Sequence, residues 1–267
     1  MEFQPGIKCP EQFSPMAWSF AFVDGEMLLP MEQHELTPGP LIDAIDMRHY
    51  LGRFGGHDAW AFRAIDVPIG WRRVPLRVAM TGMSSAQFGL AARASQLIEW
   101  DRSHKFCGIC GTLTEHLANE RARRCPSCGH LSYPRISPVM MALIWRPGEV
   151  LLARGPKFPA DFYSALAGFV EAGETLEECV ERESFEEVGV SIGDLKYYGS
   201  QSWPFPHSLM VAFTAKWESG ALVPQEGEIE DARWFPIDTL PRLPPEFSIA
   251  GHLIRDTVSA MVAGREP

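Results

Sequence analysis

Hydrophobic positions along the chain follow two different periods. Up to residue 100, short apolar runs such as "WSFAFVDGEMLL" and "WAFRAIDV", broken by Gly and Pro, predict strands. The next stretch, "SSAQFGLAARASQLIEWDRSH", sets Phe88, Ala91, Ala92, Ser95, Leu97 and Ile98 near helical spacing and predicts a helix. No site chemistry stands out in this region, which reads as packing or dimerisation surface. From "SYPRISP" onward, strand runs ("VMMALIW", "EVLLAR", "LKYYGSQ", "LMVAFTAKW", "ARWFPI") alternate with a helix opening at Thr175 and a last helix, "FSIAGHLIRDTVSAMVAG". That alternation predicts a layered α/β domain.

The Thr175 helix carries the most informative polar pattern. Thr175 and Glu178 form a capping box that fixes its start, and Gly189 is a natural stop. Leu176, Val180 and Val188 mark a packing face. Glu183, Glu186 and Glu187 stand at i, i+3 and i+4 and share another face, where like charges repel. A solvated acidic surface is one reading of such a run. The other is a site for an oxygen-seeking divalent ion, Mg2+ or Mn2+, that relieves the repulsion and also takes phosphate oxygens.

Cysteine spacing adds a second chemistry. Cys107-Gly-Ile-Cys110 and Cys125-Pro-Ser-Cys128 are two C-x-x-C pairs separated by 14 residues. Two such turns complete a closed four-thiolate site for a structural Zn2+ ion, the pattern of a zinc ribbon. Cys9 and Cys179 stand apart and read as inert thiols. Around the ribbon lie Arg102, Lys105, Arg121, Arg123, Arg124 and Arg135. Solvated surface is the simpler account of these cations, and a face that receives RNA is the alternative.

Composition narrows the class without choosing a function. The 267 residues are 46% hydrophobic and 22% charged, as in ordinary globular proteins. A formal net charge of −10 argues against a general nucleic-acid binder. No apolar run is long enough for a membrane span, and no secretory signal pattern opens the chain, so a cytoplasmic location is expected.

The residues Gly168, Glu174, Arg182, Glu183, Glu186, Glu187, Gly189 and Val190 match the Nudix box G-x5-E-x7-R-E-U-x-E-E-x-G-U, with Ser184 in place of its apolar residue. "SQSWPFPHS", residues 200 to 208, resembles the S-Q-P-W-P-F-P-x-S signature of the NADH pyrophosphatase family, with Ser202 replacing a proline. The ribbon before the box, "YPRISP" and the tail "EIEDARWF…LPPEFSIAGHLIRDT" also fit that family, over about residues 100 to 260.

This resemblance implies a Nudix α/β/α sandwich over 135–267, preceded by a zinc ribbon over 101–134 and a small α+β N-terminal domain over 1–100. It implies Mg2+ or Mn2+ held by Glu183, Glu186, Glu187 and Glu228, with Arg182 and Glu174 completing the catalytic set. Substrate contacts are implied at Tyr133, Phe169, Gln201, Trp203, Phe205, Ser208 and Ala250, although core packing is the plain reading of Trp203 and Phe205 and the favoured one for Trp203. The expected activity is hydrolysis of NADH or NAD to nicotinamide mononucleotide and AMP, with NAD-capped RNA as a further substrate and a homodimer as the working form. The rival readings are a pyrophosphatase for another dinucleotide, such as ADP-ribose, and a non-catalytic nucleotide-sensing regulator. Intact box carboxylates and the lack of a helix-turn-helix pattern count against the regulator.

Overall fold

The computed structural model describes residues 2–11, 14–32, 36–41 and 45–267. The chain divides into two compact units, residues 1–136 with 204–207, and residues 137–203 with 208–267. The ribbon thus shares a unit with the N-terminal region.

In the first unit the strands are β1 (Phe3–Pro5), β2 (Ala17–Val23), β3 (Glu26–Pro30), β4 (Ile45–Phe54), β5 (His57–Ala64) and β6 (Trp71–Val74). They form one sheet in the order β1-β4-β5-β2-β3-β6. The run "WSFAFVDGEMLL" splits at Asp24-Gly25, where both residues take positive φ, into the β2–β3 hairpin. After the short α1 (Leu76–Met80), helix α2 (Ser85–Ser103) starts at a capping box between Ser84 and Gln87. It buries Phe88, Ala91, Ala92, Leu97 and Ile98, much of the face the spacing predicts, together with Trp100 and Asp101. The ribbon follows as the three-stranded sheet β7 (Glu115–His116), β8 (Arg123–Arg124) and β9 (Leu131–Ser132).

The second unit holds β10 (Ser137–Arg146), β11 (Glu149–Arg154), β12 (Leu166–Phe169), α3 (Leu176–Val188), β13 (Ser191–Trp203), β14 (Ser208–Ser219), β15 (Asp231–Pro236) and α4 (Ile249–Val262). Its sheet runs β13-β14-β10-β11-β15, with β12 also paired to β10. Strand β10 pairs in parallel with β14, which makes it a central strand. A central strand between two helical layers should be apolar on both faces, and β10 is. Val139, Met141, Leu143 and Trp145 face one core with Ile249, Leu253 and Ile254 of α4. Met140 and Ala142 point the other way, onto Cys179 and Val180 of α3. The unit is therefore the expected α/β/α sandwich.

Strand β13 reaches further than its sequence suggests. Ser200 to Trp203 are paired strand residues, ending with Trp203 opposite Ser208. Only residues 204–207 form the turn, which includes a cis Phe205–Pro206 peptide. The prolines thus lie outside the ladder, where a missing donor costs nothing.

Candidate metal centre and nucleotide site

Helix α3 is fixed at both ends by its own sequence. Thr175 Oγ1 accepts from the Glu178 amide at 3.2 Å, and the Thr175 amide donates to Glu178 Oε2 at 2.8 Å. Gly189 closes the helix at φ 76°, and a β-carbon there would also meet the Ala221 carbonyl at 3.1 Å. The box glutamates are therefore held at a set rotation about the helix axis.

Arg182 is the hub among them. Its Nε and Nη2 grip the two oxygens of Glu174 at 2.6 and 2.9 Å, a bidentate pair. Nη1 reaches Glu183 at 2.9 Å and Glu186 at 3.0 Å, and Nη2 also donates to the Phe169 carbonyl at 3.1 Å. The guanidinium bond holds the Glu174 carboxyl down at about 2, so it stays ionised. The same bonds raise Arg182 above the usual arginine range.

Glu183 lies across the end of β12. A β-carbon on Gly168 would sit 2.0 Å from its carboxyl carbon, so only glycine leaves room for this carboxylate. Glu187 is different again. It is buried, with 7% of its surface exposed, and its Oε2 has no hydrogen-bond partner. Burial first, then the charges of Glu183 and Glu228, push its carboxyl up to about 8. The Glu187 carbonyl accepts from the Gln225 amide at 2.9 Å, which ties the Glu228-bearing loop to the end of α3. This backbone latch leaves no mark in the sequence.

Three carboxylates, from Glu174, Glu183 and Glu186, thus bond to Arg182, while Glu187 feels the charges of Glu183 and Glu228. A buried unpaired carboxylate oxygen in an excess of negative charge fits a hard divalent cation with oxygen ligands. Among the described residues, the ribbon cysteines form a metal-competent cluster whose ligand atoms all lie within 4.8 Å of one another.

The other sequence candidates in this unit fall into two groups. Phe169 is exposed at the end of β12, with its ring open to a planar ligand. Gln201, by contrast, is already occupied. Its Nε2 donates to the Phe247 carbonyl at 2.8 Å, and its Oε1 accepts from the Ile249 amide at 2.8 Å. The amide clips β13 to the start of α4, where Ala250 is buried and the Ser248 hydroxyl caps the Gly251 amide at 3.1 Å. Ser208 is buried, and Trp203 packs against the α4 core, as its bland reading supposed. Ser184 is fully buried on the packing side, with no partner for its hydroxyl.

In the first unit, the Tyr133 hydroxyl donates to Glu120 at 3.3 Å, and the Arg77 guanidinium stands 4.0 Å over the Phe205 ring. The ribbon thiols meet the expectation for zinc. Sulfur separations are 3.6 Å for Cys107–Cys128, 3.5 Å for Cys110–Cys125 and 3.7 Å for Cys110–Cys128. A tetrahedral ion with bonds of about 2.3 Å needs sulfur edges of about 3.8 Å. Amides of Ile109 and Cys128 point at Cys107 and Cys125 sulfurs at 3.4 and 3.5 Å, which supports thiolate charge. With four sulfurs the site is closed, and its zinc is structural.

One reading of the ribbon needs correction. Arg123 is not a solvated surface cation. It is buried, with Nη1 bonded to Asp101, Nε to the Thr114 hydroxyl at 2.7 Å and Nη2 to the Thr114 carbonyl at 2.8 Å. A cation already bonded on every side has nothing left for a polynucleotide. Arg102 and Lys105 also have acidic neighbours, Glu99 at 2.7 Å and Asp46 at 3.8 Å.

Comparison with known proteins agrees with these modules. The NUDIX domain model matches residues 135–256, the NADH pyrophosphatase zinc ribbon domain 102–133, and the NADH pyrophosphatase-like rudimentary NUDIX domain 17–100. A Chromobacterium violaceum protein named NAD-capped RNA hydrolase NudC is 59% identical over 94% of this chain and 93% of its own. Proteins of the same name from Pseudomonas aeruginosa and Deinococcus radiodurans are 46% and 43% identical, over 91% and 97% of this chain and 87% and 93% of theirs. Three domain models in sequence and relatives this similar over nearly the whole length show that the chain belongs to the NudC family of Nudix hydrolases.

Proposed function

We propose that the protein hydrolyses the pyrophosphate bond of NADH or NAD, giving AMP and the reduced or oxidised nicotinamide mononucleotide respectively, and removes NAD caps from RNA 5′ ends. The observation that carries this reading is Glu187 Oε2, buried without a partner among carboxylates that outnumber their one arginine. Glu183, Glu186, Glu187 and Glu228 would hold Mg2+ or Mn2+, which when bound neutralises the pyrophosphate and supplies an activated water.

The chain's own residues do the rest. Arg182 keeps Glu174 ionised and braces Glu183 and Glu186, so the carboxylates meet substrate in a fixed arrangement. Gly168 makes room for Glu183, and the exposed Phe169 ring offers a stacking face for nicotinamide or adenine. Gln201 acts through its clip on Phe247 and Ile249, setting where Ala250 and the start of α4 lie. Tyr133, Phe205, Ser208 and Trp203 complete the proposed substrate set, and a homodimer is the proposed working form.

The test is a substrate panel with Mn2+ or Mg2+, comparing kcat/KM for NADH, NAD, ADP-ribose and NAD-capped RNA and identifying products. Reduced nicotinamide mononucleotide with AMP from NADH, and a 5′-monophosphate RNA from the capped substrate, are expected. Preference for ADP-ribose over both would reassign the enzyme.

A further inference from the structure

The first unit contains a cavity of about 450 Å3 lined by Pro5, Gly6, Ile7, Lys8, Arg93 and Arg121. Its three charged lining residues are all cations. Arg121 is anchored by backbone alone, with Nη2 donating to the Gly6 carbonyl at 2.6 Å and the Tyr50 carbonyl at 2.9 Å. These bonds fix the guanidinium plane and neutralise nothing. Burial, followed by the like charge of Arg93, lowers Arg121 below the usual arginine range.

Arg93 projects from α2 where the positions three and four residues away are Gly89, Leu90, Gln96 and Leu97, none of them acidic. Its guanidinium carbon stands 5.2 Å from the centre of the Phe3 ring. Among the described residues, no carboxylate pairs with Lys8, Arg93 or Arg121.

A second cavity of the same unit, about 370 Å3, shows that this is not the general habit of the surface. It too is lined by arginines, but Arg63 has Asp46 at 3.2 Å and Arg102 has Glu99 at 2.7 Å. In a chain with ten more acidic than basic side chains, a half-buried arginine flanked by two exposed cations, none paired with a carboxylate among the described residues, is conspicuous. Half-burying the Arg121 guanidinium beside the like charge of Arg93 is unfavourable unless an anion joins them.

We propose that the Lys8–Arg93–Arg121 recess is a binding site for a phosphate-bearing anion, either a free polyphosphate or a phosphate of an RNA strand. Arginine forks suit phosphate oxygens bidentately, and the volume falls in the range of about 300–1,000 Å3 usual for ligand sites. The proposal stands apart from the hydrolytic reading, because its test reads binding and not turnover.

The test compares the full-length, zinc-loaded protein with its Lys8→Ala/Arg93→Ala variant, both positions being exposed. Inorganic tripolyphosphate is titrated by calorimetry, and a short uncapped RNA by anisotropy, without added divalent metal so that the box carboxylates repel both probes. Unchanged melting temperature of the variant checks its fold. The variant should bind tripolyphosphate about tenfold more weakly, a single-decade change. For RNA, the double-logarithmic salt slope should shrink by about 1.4, roughly 0.7 for each cation removed. An effect on RNA alone assigns the site to a strand phosphate, and an effect on tripolyphosphate alone assigns it to a small polyphosphate. Equal binding of both probes by the two proteins, or no binding by either, overturns the site.

Discussion

Two buried carboxylates, Glu187 in the second unit and Asp101 in the first, are balanced in opposite senses. Asp101 is 1% exposed at its side chain and surrounded by donors: His49 at 2.9 Å, His116 at 3.1 Å and Arg123 in direct contact. Burial raises its carboxyl, but hydrogen bonds from His116 and His49 outweigh burial and leave it well below the ordinary range. Glu187 has the same burial cost, acidic neighbours and no donor for Oε2, so its carboxyl rises. Asp101 is a finished knot that joins β4, α2 and the ribbon. Glu187 keeps a buried oxygen that no donor of the described residues satisfies. The contrast separates charge used to hold a fold from charge kept available for a ligand.

Removing the Glu187 charge gives the sharpest break. Glu187→Gln should lower kcat on NADH by about 10²–10⁴-fold, the range for a positioned catalytic group. Its fold should survive, because an amide is easier to bury among glutamates than a carboxylate. Steady-state kinetics with Mn2+ and a melting curve of the same preparation test both halves. Near-normal turnover would remove Glu187 from the reaction.

Asp101→Asn should do the reverse. It leaves Arg123 buried without its counter-charge, and breaking a buried pair in this way costs about 3–5 kcal/mol. The loss should appear as a lower midpoint in chemical denaturation of the zinc-loaded protein. Any catalytic defect should track the fraction unfolded. A normal midpoint would mean that the knot is not structural.

The pH dependence carries the contrast further, with opposite signs. Asp101 is lowered from an ordinary 3.8, so its contribution is complete above that value and is lost as pH falls. Glu187 is raised from 4.5 to about 8, so folding favours its protonated form. That contribution is complete below about 4.5 and is lost as pH rises through about 8. Without divalent metal, wild-type stability should decline between about pH 4.5 and 8 and less so in Glu187→Gln, and Mn2+ should offset the wild-type decline. Asp101→Asn should flatten the acid arm. Melting temperature against pH for the three proteins decides it.

The two sites also differed in how far the sequence could reveal them. The box was legible because its parts are local. Glu183, Glu186 and Glu187 share a helix face by spacing alone, and Thr175 and Gly189 announce the helix ends. The zinc ligands were legible for the same reason. The knot was not, because His49, Asp101, His116 and Arg123 come from separate elements and meet only in the fold. Arg123 therefore looked like one more surface arginine of the ribbon. Gln201 shows an intermediate case. Its signature was visible, but its hold on the backbone at Phe247 and Ile249 depends on a pairing 46 to 48 residues away.

Ser184 allows the smallest and most discriminating test. Its hydroxyl is fully buried and has no partner, like Glu187 Oε2 on the same helix. Chemistry distinguishes the two. Ser184 is a neutral hydroxyl three residues before Glu187, on the same buried side of α3, and carries no charge for a cation to balance. An unsatisfied buried hydroxyl costs about 1–3 kcal/mol, and Ser184→Ala removes it while leaving only a small void. The variant should be more stable by about 1 kcal/mol, the low end of that range after the lost packing, with kcat/KM on NADH unchanged. Stabilisation with unaltered turnover would mark Ser184 as an unsatisfied group without function. A loss of turnover comparable to that of Glu187→Gln would mean that both orphan oxygens serve the site.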